Sequence, residues 1–121
     1  MLTLILMMVS TASAYDFISG KIAYSITSQS EKTVSVVPIH ADITYGDLVI
    51  PEKVTYNMNE YTVTAIGDDA FRETGQTITS LTLPNTIKKI GAHAFIGSNI
   101  TALHIPNSVT TIGNGAFSTC N

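Results

Sequence analysis

Three nine-residue blocks of this chain align without a gap. Residues 63–71, 87–95 and 109–117 each read apolar-x-x-Ile-Gly-x-x-Ala-Phe, and their phenylalanines, Phe71, Phe95 and Phe117, fall 24 and 22 residues apart. Between the blocks lie two aligned seven-residue stretches, 78–84 and 100–106, which are 22 residues apart and end in Pro84 and Pro106. A shorter match, Leu48, Val49, Ile50 and Pro51, precedes them. Self-similarity at a fixed spacing constrains a fold more than any local propensity, because each unit must bury its apolar side against the next.

The stretches around Leu81-Thr82-Leu83 and Leu103-His104-Ile105 alternate apolar and polar residues, the period of a half-buried strand. They fit the leucine-rich-repeat pattern Leu-x-x-Leu-x-Leu, whose period is roughly 20–29 residues. Pro84 and Pro106 stop these strands because proline lacks a ladder N–H. A second extended piece leads to Ile66, Ile90 and Ile112. The glycine after each isoleucine is expected to turn the chain with positive φ. A short helical turn then follows, the first capped by Asp68 or Asp69. Stacking these units predicts a buried spine of Phe71, Phe95 and Phe117. It also predicts an isoleucine ladder of Ile66, Ile90 and Ile112, and strand ladders of Leu81 with Leu103 and Leu83 with Ile105. All ten are read as core.

The Ile-Gly-x-x-Ala-Phe block after a Leu-x-Leu-Pro or Leu-x-Ile-Pro strand resembles the BspA-like leucine-rich repeat. The likeness is close over residues 63–121 and loose over 48–62. It implies an α/β repeat solenoid: a right-handed, β-rich leucine-rich-repeat superhelix with short helical turns. It implies a secreted or cell-surface location and adhesion to host or microbial surface protein or glycan, with extracellular matrix proteins among the targets. Cys120 falls where the family often places cysteine, and Thr74 and the stretch Gly97-Ser98 occupy the matching places, which favours packing over thiol chemistry. Two features depart from the pattern. The first unit, from Leu48 to Ser80, has 33 residues, and the last stops mid-repeat at Asn121. Fewer than three full units leave the chain marginal on its own, so a fragment of a longer protein, or a chain needing a partner, is expected.

Residues 15–62 do not carry the repeat. Alternation around Ile22-Ala23-Tyr24 after Ser19-Gly20 predicts a hairpin. Residues 33–37, 48–50, 54–56 and 60–63 read as further strands, with a polar turn at Asn57-Met58-Asn59. The segment is expected to form an antiparallel β cap and a degenerate first repeat. Residues 1–14 read as a signal peptide: residues 2–9 are almost all apolar, and an Ala-x-Ala site predicts cleavage after Ala14. No Lys or Arg precedes that run. At eight residues it is far short of the about 20 that span a bilayer, so no membrane span is expected.

Function classes fall away on composition. Six Lys+Arg against nine Asp+Glu give a net charge of −3, and no basic stripe exists to neutralise nucleic-acid phosphates. One cysteine makes no internal disulfide and no zinc site. His40, His93 and His104 have no metal-ligand spacing, Asp68-Asp69 lacks that of a calcium loop, and no nucleophile elbow or phosphate loop occurs. No enzyme and no cofactor are expected. Asn99-Ile100-Thr101 is a glycosylation sequon, relevant only to a eukaryotic secretory pathway. The candidate ligand-binding surface is the outward side of the strands: Ser80 and Thr82, then Ala102 and His104 one unit on. Two functions compete: a binding or adhesion module, and a structural spacer whose activity lies in a missing C-terminal region. A secreted enzyme is a third, with no residue in its favour.

Overall fold

A computed structural model describes residues 15–72 and 74–120. The expected signal peptide lies outside them. Among the described residues ten strands are present: β1 (Phe17–Ser19), β2 (Ile22–Ser28), β3 (Thr33–Val37), β4 (Gly46–Val49), β5 (Lys53–Tyr56), β6 (Asn59–Ile66), β7 (Ile78–Thr82), β8 (Lys89–Ile90), β9 (Ala102–Leu103) and β10 (Thr111–Ile112). The one helical element among the described residues is a 3-10 turn, Gly75–Thr77.

The strands form two sheets. One runs β1-β2-β3-β6-β8-β10, with β5 attached to β6 off that path; the other runs β4-β7-β9. Pairing is antiparallel from β1 to β3 and parallel from β3 onward. Both expected N-terminal hairpins are present. The β5–β6 turn is tighter than the polar triplet suggested: Asn57 and Met58 alone make it, both at positive φ (50° and 66°), and Asn59 already belongs to β6. That backbone matches the strand twist of a two-residue hairpin.

Register explains the repeat. Ile66 aligns with Ile90, and Ile90 with Ile112. On the other sheet Leu81 aligns with Leu103. The rings of Phe71 and Phe95 stack at 5.2 Å and those of Phe95 and Phe117 at 5.3 Å, close to the roughly 4.8 Å strand separation that sets the layer spacing. The ladders also reach into residues 15–62. Val36 of β3 pairs with Ile66, Leu48 of β4 pairs with Leu81, and Tyr45 meets Phe71 edge-on at 5.4 Å. Layers therefore begin at β3, with valine in the isoleucine place and tyrosine in the phenylalanine place. The extra residues of the long first unit form β5, its turn and the outer half of β6; β6 itself lies on the layer path, and β5 stands off it.

The expected helical turn after each Ile-Gly is not a helix. The backbone there makes successive four-residue turns, Ala70 N–H to Gly67 O (3.2 Å) and Arg72 N–H to Asp69 O (3.0 Å), with the first repeated at Ala94 to Gly91 and Ala116 to Gly113. The intervening N–H groups leave the layer. Asp69 and Phe71 donate to Ala92 O and Ala94 O, and His93 and Phe95 to Asn114 O and Ala116 O. A helix would need those donors for itself.

The repeated glycines act differently from expectation too. Gly67, Gly91 and Gly113 are not the positive-φ residues; Asp69 (60°), His93 (58°) and Gly115 (67°), two places on, are. The glycines are required by close approach. A Cβ on Gly91 would lie 2.5 Å from Asp68 N, and one on Gly113 would lie 2.8 Å from Ala92 Cα.

Burial is graded along the stack. Ile66, Phe71, Leu81, Leu83, Ile90 and Phe95 are buried. Leu103 and Ile112 differ from the core expectation, at 41% and 50% exposed, and Ile105 and Phe117 are half-buried. No described layer follows theirs, so one side of each meets water. The interior ladder residues bury a second side because a layer lies on both faces.

Candidate functional site

The three-stranded sheet is the surface on which the expected ligand-binding residues meet. Parallel pairing places Asp47, Ser80 and Ala102 in one transverse row, and Val49 and Thr82 in another. His104 lies one residue beyond the end of β9. Leu48, Leu81 and Leu103 occupy the alternate positions, whose side chains go to the opposite face. Thr82, Ala102 and His104 are exposed and Ser80 is half-buried. Ser80 Oγ donates to Asp47 Oδ1 at 2.8 Å, tying β7 to β4 across the face.

Asp47 and Val49 were not among the residues expected here, and both are exposed, Val49 at 61%. The Leu48-to-Pro51 match was the available signal. It aligns with Leu81 to Pro84, so the residues on either side of Leu48 face outward as Ser80 and Thr82 do.

Two open clefts flank the start of this sheet. One, about 420 Å³, separates β4 from the turn between β1 and β2. The other, about 620 Å³, lies between residues 40–44 and 74–77 and is lined by His40, Asp42, Thr44 and Gln76.

The remaining polar candidates hold layers together. Asp68 Oδ1 accepts the Ala92 N–H at 2.8 Å, so it caps the following layer rather than its own turn. Asp69 Oδ1 pairs with Arg72 at 3.2 Å and lies 3.9 Å from His93 Nδ1. Among the described residues no group of three or more His, Cys, Asp or Glu comes close enough to share a metal ion. Asn99 of the sequon donates its Nδ2 to Gln76 O at 2.7 Å. Thr74, Ser98 and Cys120 occupy the same place, three residues after each phenylalanine. Thr74 and Ser98 are buried, Ser98 Oγ bonds Phe95 O at 2.6 Å, and Cys120 Sγ lies 3.4 Å from the same oxygen. Burial pushes the Tyr24 phenol up to about 12, with nearby Tyr45 adding to the shift. Burial likewise raises Tyr45, against a hydrogen bond from Thr74 that lowers it.

The family model described as "BspA type Leucine rich repeat region (6 copies)" matches residues 49–121. The chain belongs to the BspA-type leucine-rich-repeat family. No curated protein sequence matches this BspA-type chain significantly. Among solved structures it is similar to a leucine rich cell surface protein of Faecalibacterium prausnitzii, with TM-score 0.70 and 25% identity over 88% of this chain and 28% of that one. It is similar to a leucine-rich repeat protein of Bacteroides capillosus, with TM-score 0.53 and 29% identity over 82% of this chain and 64% of that one. It shares its fold with the T. pallidum leucine rich repeat protein, with TM-score 0.66 and 20% identity over 81% of this chain and 42% of that one. The BspA-type chain thus spans under two thirds of the length of each. Among the described residues no helix is long and apolar enough to cross a membrane.

Proposed function

We propose that this chain is a protein-interaction repeat module, secreted or displayed at a cell surface, that binds protein or glycan on host or microbial surfaces. The observation that carries the reading is the three-stranded sheet itself, whose register aligns Asp47, Ser80 and Ala102 in one row and Val49 with Thr82 in another, with exposed His104 just past the end of β9. An extended face on stacked repeats is the surface such proteins use for binding. Family membership and the likeness to a leucine rich cell surface protein support the location. In this reading the layers form a right-handed solenoid, β1 and β2 cap its start, and residues 1–14 direct export.

Binding of the full chain to immobilised extracellular matrix and microbial-surface fractions tests it. A Thr82→Arg/His104→Glu double variant should lose that binding with its melting curve unchanged. Retained binding would move the function off this face. A second reading, a repeat spacer within a larger surface protein, is supported by the short coverage of the similar structures. It expects neither version to bind.

A further inference from the structure

The two sheets begin differently. Beyond β3 the larger sheet continues through β2 and β1, which occupy its edge. Beside β4 the smaller sheet has no such continuation: among the described residues β4 pairs with β7 alone. The space there is the cleft of about 420 Å³, whose walls are β4 on one side and residues 19–22 on the other.

Backbone alternation sets what the edge presents. The Ile50 N–H donates to Thr82 O at 3.0 Å, so Ile50, and two residues back Leu48, bond toward β7. Asp47 and Val49 lie between them in the alternation, and their N–H and C=O groups point away from β7, toward the cleft. A row of strand-edge donors and acceptors is matched by one kind of group, another extended backbone. Charge adds direction. Lys21, exposed at the hairpin tip, sets its ammonium 3.5 Å from Thr44 O, beside the start of β4. An acidic side chain on an incoming strand would complement it.

The geometry points to the free edge of β4 as a strand-addition site for an extended segment of a polypeptide other than this chain. The segment lies in the cleft between β4 and the β1–β2 turn, pairs with Asp47 and Val49 through its backbone, and places an acidic residue opposite Lys21. It becomes a fourth strand of the sheet that carries the binding face. The inference deepens the interaction reading above and rests on it for the nature of the partner, but it uses the edge of the sheet rather than its face.

A displayed library of random eight-residue peptides, selected against the full chain, tests this. Selected peptides should alternate β-branched residues and carry an acidic residue. Their binding should slow amide exchange at Asp47 and Val49. Val49→Pro removes an edge N–H that β7 does not use and should weaken binding by about tenfold or more, whereas Val49→Ala keeps the N–H and should stay within about threefold. Lys21→Glu should weaken the acidic peptides alone. N-methylation at alternate peptide positions should abolish binding to the unaltered chain, a readout that stands even if Val49→Pro fails to fold. The Thr82→Arg/His104→Glu variant should bind these peptides normally.

Failure to select any peptide, insensitivity to Val49→Pro in a folded variant, or N-methyl effects without alternation would overturn the proposal. So would peptide binding lost in the face variant, which would assign the peptides to the face and leave the proposed function standing. Self-association abolished by Val49→Pro would give the edge to a second copy of the chain and overturn it equally.

Discussion

Phe71, Phe95 and Phe117 are the same residue in the same block, yet only the first two are buried, because Phe117 has a ring beneath it and no described layer beyond. Phe95→Ala should therefore destabilise the chain by about 3–5 kcal/mol, and Phe117→Ala by well under half of that. Urea midpoints at an unchanged slope would measure both, and equal losses would contradict the graded core. Met58 offers the opposite case. It holds a φ of 66° with a side chain 96% exposed, so it carries a left-handed backbone penalty with no packing in return. Met58→Gly should raise stability by about 1 kcal/mol, read as an upward shift of the melting midpoint.

At the scale of elements, each layer is joined to the next by corner N–H groups as well as by its strands, which links what would otherwise be separate pairs of β-residues. Hydrogen exchange should follow this. The amides of Phe71 and Phe95, buried between layers, should exchange at least about tenfold more slowly than those of residues 111–119, where β10 has one neighbour among the described residues. Gly91→Ala should break the same joint, since its Cβ would meet backbone of the layer below; a cost of about 1–3 kcal/mol is expected, measured by denaturant unfolding.

How far these elements were legible follows from the same contacts. The Ile-Gly and Ala-Phe pairs recur because every interior layer asks the same thing of those positions, so the ladders were visible in the sequence. The first layer hid itself. It uses Val36 and Tyr45 where later layers use isoleucine and phenylalanine, and it separates them by nine residues where Ile66 and Phe71 are separated by five. The positive-φ corner was hidden because Asp69, His93 and Gly115 share a conformation and no side-chain chemistry. Exposure of Leu103 and Ile112 is a property of position in the stack, which their identities do not carry. Ser80, Thr82, Ala102 and His104 followed from strand alternation. Asp47 and Val49 required knowing that β4 joins the same sheet.

For the molecule as a whole, the buried phenol of Tyr24 ties stability to pH at the alkaline end. The Tyr24 pKa is raised in the folded state, to about 12 from an ordinary 10. Its contribution is thus fully present below pH 10 and is lost as pH climbs toward 12, because the unfolded chain releases the proton first. Tyr45 shifts in the same direction. Melting temperature should fall across that window, and Tyr24→Phe should flatten the fall while leaving neutral-pH behaviour close to that of the parent. An unchanged alkaline slope in the variant would contradict the buried phenol.

β5 hangs from β6 without entering the succession of layers, and the turn that joins them stands in water at Met58. Cargo spliced in after Met58 would leave the hydrogen bonds between layers untouched. A tag, an epitope or a whole guest domain could ride at that corner while the stack behind it kept its register.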